Sequence, residues 1–280
     1  MDDLILGIAI NLIVASLIGF AMRQLSRQWP LCWVDIAGLL VVACLLLYLV
    51  YVWDQLWQLR WLPFGNMIVL GNGLPLFISA LGGLTCRRLK GRPRVRTFAV
   101  SLLAVVAIGS VARPLCGEPP ICENKWEGEV CLQSTSMTCS PAAAATVLKC
   151  FGIEATEGEM AGLCLTRTGT HWMGLYRGLR KKLPDSISIS PLCSASLSEL
   201  RQASRARPLI LIVSLPHEIP SEWEYRTESG WLPGVSHSVV CLGPAANDRW
   251  KIADPTNGFE TWSTEEMQIL WQGSGLRIAR

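Results

Sequence analysis

The stretch "CLQSTSMTCSPAAAATVLKCFGI", residues 131–153, sets a cysteine, Cys139, directly before Ser-Pro and a run of alanines. Proline is at home in the first turn of a helix, so Cys139 reads as the opening residue of one. A thiol there faces backbone N–H groups and the positive end of the helix dipole. Both favour the thiolate, which is the nucleophilic form. Covalent catalysis by cysteine also needs a base within hydrogen-bond reach and a group that orients the base. The chain has three histidines. His237 lies in "VSHSVV", an alternating strand pattern that would project its ring from a rigid support. His171, beside Trp172, and His217, in "LPHEIP", read as surface or capping residues. Asp254 ends the next strand pattern, "KIADP", and hairpin pairing of the two strands would bring it beside His237. There it would hold the imidazole tautomer and stabilise the protonated ring. Gln133, six residues before the cysteine, carries an amide that can donate to an oxyanion, with the backbone N–H of Cys139 as a second donor.

Each of these residues also has a plainer reading. An exported cysteine commonly sits in a disulfide, a strand histidine commonly serves structure, and "DPTNG" can be a turn in which Asp254 bonds its own backbone. The order and spacing of the four together favour chemistry.

The elements that must position them are readable in outline. A helix runs from Cys139 to Phe151 and stops at Gly152. Thr156 with Glu159, and Ser196 with Glu199, open two more helices as capping boxes, and Thr170 is the expected cap of another whose apolar face includes Met173, Leu175, Tyr176 and Leu179. "RPLILIVSLP" is a buried strand. "GVSHSVVCLG" and "RWKIADP" are two strands joined at "PAAND". Ser263 with Glu266 starts a short last helix, and "GLRIAR" is a final strand. Helices in front and an antiparallel sheet behind make an α+β domain.

On these residues, 131–280 resemble the peptidase domain of the bacteriocin-processing, double-glycine cysteine peptidases, which have a papain-like fold. The matching features are Gln133 six before Cys139, the "CSPAAAATVLKCFGI" helix, "GTHWMGLYRGLRK", "SHSVVCLG", "IADPTNG" and the closing "FETWSTEEMQILWQGSGLRI". The resemblance implies Cys139 as nucleophile, His237 as general base, Asp254 as its orienter and Gln133 in the oxyanion hole. It implies a peptide or protein substrate, leader-peptide processing as the setting, and a secretion or transport partner. The chain departs from the pattern in three places. Ser140 stands where many members have glycine, no Walker A loop occurs, and the insertion at 217–234 carries four Glu and two Trp that would line or cover the cleft.

The remaining residues read as membrane. Four apolar stretches, at about 4–22, 33–53, 65–84 and 97–112, approach the roughly 20 residues that cross a bilayer. Asp2 and Asp3 replace the basic start of a cleaved signal peptide. The expected organisation is a four-span all-α region over 1–112, a linker over 113–130 and the peptidase domain over 131–280. Residues 1–112 carry nine Lys or Arg against four Asp, and the rest is net acidic. Basic loops stay in the cytoplasm. "RRLKGRPRVR" after the third stretch, with Arg23 and Arg27 after the first, therefore places both termini on the exoplasmic or periplasmic side of an inner membrane. The acidic balance of the exported part speaks against nucleic acid as a partner. No cofactor is called for, and zinc is disfavoured because paired CxxC knuckles are lacking. Eight of the eleven cysteines fall in the exported part, and Cys116, Cys122 and Cys131 are the expected source of one bridge. The alternative reading is a catalytically silent domain of the same fold that binds a peptide or partner at the membrane. A weaker third is acyl transfer to an amine in place of water.

Overall fold

The structure is a computed structural model that describes residues 2–217 and 231–279. It divides into two compact units, Met1–Gln58 with Asn66–Cys116, and Leu59–Gly65 with Gly117–Arg280.

The first unit holds α1 (Asp2–Leu25), α2 (Leu31–Tyr51), α3 (Met67–Leu70), α4 (Leu74–Arg88) and α5 (Pro93–Ala112). Four helical stretches, Asp2–Gln28, Leu31–Tyr51, Met67–Arg88 and Pro93–Leu115, are long and apolar enough to cross a membrane. Large apolar side chains such as Leu17, Leu39, Leu46 and Val105 stand exposed along them. The third stretch is interrupted between α3 and α4, at the Gly71-Asn72-Gly73 that weakens it as a sequence. In hydrocarbon every freed backbone group needs a partner, and side chains supply them. The Tyr48 hydroxyl donates to Gly71 O at 2.6 Å and accepts from Gly73 N–H at 2.8 Å. Asn11 donates to Val69 O and Asn72 O, at 3.1 and 2.8 Å. Asn72 donates to Ser110 O at 3.0 Å and accepts from Leu74 N–H at 3.1 Å.

The second unit is α+β. A hairpin of β1 (Trp126–Glu127) and β2 (Val130–Cys131) precedes α6 (Cys139–Cys150), α7 (Glu157–Leu163) and α8 (Trp172–Lys182). Then follow β3 (Ser188–Leu192), α9 (Leu197–Ala206), β4 (Leu209–Ser214), β5 (Ser236–Pro244), β6 (Arg249–Asp254), β7 (Gly258–Ser263), α10 (Thr264–Leu270) and β8 (Trp271–Ala279). Six strands form one antiparallel sheet in the order β3-β8-β4-β5-β6-β7.

Local chemistry accounts for most of the boundaries. In α6, Ala142 to Ala145 are fully buried; side chains this small let the helix lie close against β5. It ends where Gly152 takes a left-handed φ of 72°, a conformation that costs glycine little. The Thr156 hydroxyl accepts from Glu159 N–H, and α9 and α10 open with complete capping boxes at Ser196/Glu199 and Ser263/Glu266. One expectation is corrected. The N-cap of α8 is His171, with no side-chain cap, and the Thr170 hydroxyl is instead bonded to that of Thr166 at 2.7 Å.

The interior sits on both faces of β4, whose Leu209, Ile210, Leu211 and Val213 are all buried. On one face Leu209, Leu211 and Val213 join Val239 and Cys241 of β5, Trp250 and Ile252 of β6, and Leu200, Met267 and Leu270 of α9 and α10. That cluster gives β5 and β6 a firm support at the end where the candidate residues stand.

Candidate active site

Cys139 is the first residue of α6, as its sequence context predicts. No side chain caps this helix. Thr138, in the capping position, turns its hydroxyl back into the preceding loop, where it accepts from Thr135 N–H and donates to Thr135 O. Pro141 brings no N–H to the first turn. The loop is pinned from below by Glu157, a fully buried carboxylate that accepts from Ser134 N–H at 2.6 Å and from the Ser134 hydroxyl at 2.5 Å.

His237 and Asp254 meet through strand register. Val240 of β5 pairs with Ala253 of β6, so continuing the ladder sets Val239 opposite Asp254 and leaves His237 diagonal to it on the same face. The His237 Nε2 to Asp254 Oδ1 distance is 2.8 Å, with the two side chains 2% and 0% exposed. Nε2 being engaged with Asp254, the other ring nitrogen is left for the thiol, and Cys139 and His237 are close enough for each to shift the ionisation of the other. The Ser140 hydroxyl lies 4.0 Å from the Cys139 sulfur, and the Ser238 backbone adds to the field that favours the thiolate.

The electrostatics follow from this packing. Burial opposes charge on Cys139, but the hydrogen bond and positive charge of His237 outweigh it and lower the thiol pKa. Burial likewise opposes charge on His237, but hydrogen bonds to Asp254 and Cys139, with the charges of both, raise it to about 9. Both shifts favour a thiolate–imidazolium pair. The other buried thiols move the opposite way: burial pushes Cys131 and Cys164 up to about 12 and Cys241 to about 11.

Gln133 is placed by its backbone, whose N–H donates to Pro255 O at 2.8 Å, next to Asp254. The structure thus brings Cys139, His237 and Asp254 together and ties the Gln133 segment to the same turn. His171 caps α8, and His217 lies at the start of the β4–β5 connection. Of the insertion at 217–234, residues 218–230 lie outside the described residues. Cys116, Cys122 and Cys131 are the expected source of one bridge, but among the described residues no disulfide joins any of them, and Cys122 and Cys131 both lie within the field of Glu157. Among the described residues no three His, Cys, Asp or Glu side chains cluster as a metal ion would require.

Two features escape the sequence reading. The hydroxyls of Ser140 and Ser238, next in chain to Cys139 and His237, bond one another at 2.8 Å in a buried position. Trp231 donates its indole N–H to Asp254 Oδ2 at 2.7 Å. Its only sequence signal is an apolar ring a few residues before the histidine strand.

No protein-family model matches the chain, and no curated protein matches it. Solved structures similar to its C-terminal part include the peptidase domain of Streptococcus ComA, a bi-functional ABC transporter involved in a quorum sensing pathway. It is 22% identical, with 53% of this chain and 95% of that chain covered and a TM-score of 0.41. The peptidase domain of Streptococcus mutans ComA is 18% identical, covering 54% of this chain and 99% of that chain, with a TM-score of 0.36. A double glycine motif protease from an AMS/PCAT transporter, solved with its leader peptide, is 17% identical, covering 56% and 94% with a TM-score of 0.40. These structures are peptidase domains, and in this chain four long apolar helices precede the region similar to them.

Proposed function

We propose that the chain is a membrane-anchored cysteine peptidase that cleaves a peptide bond, with leader-peptide processing as its setting. The observation that carries this reading is the buried hydrogen bond of 2.8 Å between His237 and Asp254, together with the coupling by which Cys139 and His237 each favour the charged form of the other.

The Cys139 thiolate attacks the carbonyl carbon of the scissile peptide and forms a C–S bond. Negative charge moves to the carbonyl oxygen, where the Cys139 backbone N–H and the Gln133 amide stabilise it. The His237 imidazolium gives its proton to the departing amine, and the C–N bond breaks to leave an acyl-enzyme. Neutral His237 then takes a proton from water, the hydroxide attacks the acyl carbon, and the C–S bond breaks to regenerate the thiolate. Asp254 stays ionised throughout and holds the imidazole. These steps require only protein groups and water.

The four helices serve as the anchor. The basic loop after the third stretch supports an exoplasmic or periplasmic place for the catalytic unit. The partner class is a peptide or protein substrate, delivered by a secretion or transport system.

The test is cleavage of leader-type peptides by the full chain in detergent. Cys139→Ala should abolish cleavage while leaving the melting temperature close to wild type. Cleavage retained by that variant would remove the proposal.

A further inference from the structure

Both oxygens of the Asp254 carboxylate are engaged. Oδ1 accepts from His237 Nε2 and from the Thr256 backbone N–H, each at 2.8 Å. Oδ2 accepts from the Trp231 indole N–H at 2.7 Å and from the Asn257 amide at 3.5 Å. The Trp231 ring also lies 4.6 Å, centroid to centroid, from the His237 ring, tilted by 49°. It meets Trp262 edge-on at 6.0 Å.

Trp231 does not belong to the sheet. It stands in the connection from β4 to β5, near its return, and the described part of that connection is clamped. Leu215 and Pro233 form a parallel bridge, and Gly234 N–H donates to Leu215 O at 2.8 Å. Gly234 has a φ of 74°, and a Cβ there would run into the His217 ring. The backbone beside Trp231 is therefore held in a conformation that glycine alone adopts cheaply.

A buried carboxylate can turn about its last torsion, because that rotation is broad and two-fold. Turning would carry Oδ1 off the line to His237. An indole N–H is a donor and nothing else. Fixed on Oδ2, it stops the rotation, and the ring above the imidazole keeps water from the His–Asp hydrogen bond, which strengthens in a dry setting. A tryptophan that only filled the interior would not need to set its N–H on the carboxylate of the site and its ring against the imidazole.

We propose that Trp231 is a positioning residue of the peptidase site, locking the Asp254 carboxylate and shielding its hydrogen bond to His237. This inference rests on the reading of Cys139, His237 and Asp254 as the reacting set. Without the indole N–H, Asp254 holds the ring less firmly, the thiolate–imidazolium pair weakens, and Cys139 becomes a thiol over a wider acidic range.

The experiment is the pH dependence of Cys139 alkylation by iodoacetamide in the full chain in detergent. The labelled Cys139 peptide is followed by mass spectrometry so that the other thiols do not contribute. Trp231→Phe keeps a ring and removes the donor. At mildly acidic pH its Cys139 should react about tenfold more slowly than wild type, the rate change that follows an acid limb moved up by about one pH unit. For a cleaved peptide, kcat should fall with KM unchanged. A Trp231→Phe profile that superimposes on wild type, with at most a lower melting temperature, would make Trp231 a structural residue and overturn the inference. If Trp231→Phe does not fold, Gly234→Ala decides, because it displaces the clamp without touching the indole. The same upward shift supports the inference, and an unmoved limb overturns it. The alkylation profile needs no peptide substrate. A wild type that shows the activated thiol but cleaves nothing therefore counts against the hydrolytic reading, while the alkylation profiles still decide the role of Trp231.

Discussion

At the scale of residues, the site is a contest between burial and pairing. Burial resists charge on Cys139 and on His237; His237 overcomes it first through Asp254 and then through Cys139, and Cys139 overcomes it first through His237, with Ser238 and Ser140 adding to the effect. Cys139 and His237 must therefore titrate as a unit. As pH falls through the lowered thiol value the thiolate takes a proton, and as pH rises through about 9 the imidazolium loses one; either event removes the reactive form. Peptide cleavage should follow a bell, with its acid limb below an ordinary thiol's pKa and its alkaline limb near 9. A plateau with no fall above pH 9 would speak against His237 as the proton donor to the leaving amine. Asp254→Asn sharpens the test. The carboxylate accepts on both oxygens, from His237 and Thr256 on one and from Trp231 on the other, whereas an amide accepts on one side only. The variant should lose about 10²–10⁴-fold in kcat, the range general acid–base assistance supplies. The loss should persist across the pH range.

At the scale of elements, what matters is how α6 is fixed to β5. Successive side chains of a strand point to opposite faces, so His237 turns toward Asp254 while Ser238 turns toward Ser140 of α6. One short segment thus supplies the imidazole with one residue and holds the helix that Cys139 opens with the next. Ser140 occupies the position where glycine is common in the resembling peptidases, and here its hydroxyl finds a buried partner. Ser140→Ala should strand the Ser238 hydroxyl and destabilise the second unit by about 1–3 kcal/mol, read as a shift in its chemical-denaturation midpoint. Its Cys139 alkylation should also slow, since the Ser140 hydroxyl helps to hold the thiolate. A variant as stable and as reactive as wild type would show that the pair is incidental.

At the scale of the whole molecule, the two units divide the work: one supplies apolar helices, with the break in the third stretch sealed by Asn11, Tyr48 and Asn72, the other supplies the sheet. The proposed orientation sets the second unit outside the cytoplasm. Cys150, exposed at the end of α6 and outside the reacting set, reports it. A membrane-impermeant maleimide applied to intact cells should label Cys150, and labelling only after permeabilisation would place the unit on the cytoplasmic side.

Much of this was open to reading in the chain itself, because the signals are local. A cysteine before Ser-Pro and alanines marks a helix start, alternation marks the histidine strand, and Ser-x-x-Glu marks two helix openings that the structure keeps. Apolar runs of membrane length mark the first unit. Other features depended on who the neighbours are. Thr170 has the chemistry of a cap, yet Thr166 claims its hydroxyl and His171 takes the position. The strands β3 and β7 are missing from the sequence reading because each is an edge strand, half-buried at most along much of its length, so its apolar pattern is diluted. Trp231 and Asp254 lie 23 residues apart, and Ser140 and Ser238 lie 98 apart. Periodicity describes one element at a time, whereas a hydrogen bond between segments exists only once the sheet has set their register and the helix has packed on it. The residue types and their local conformations belong to the chain; the contacts that make an acidic thiol and a locked carboxylate belong to the fold.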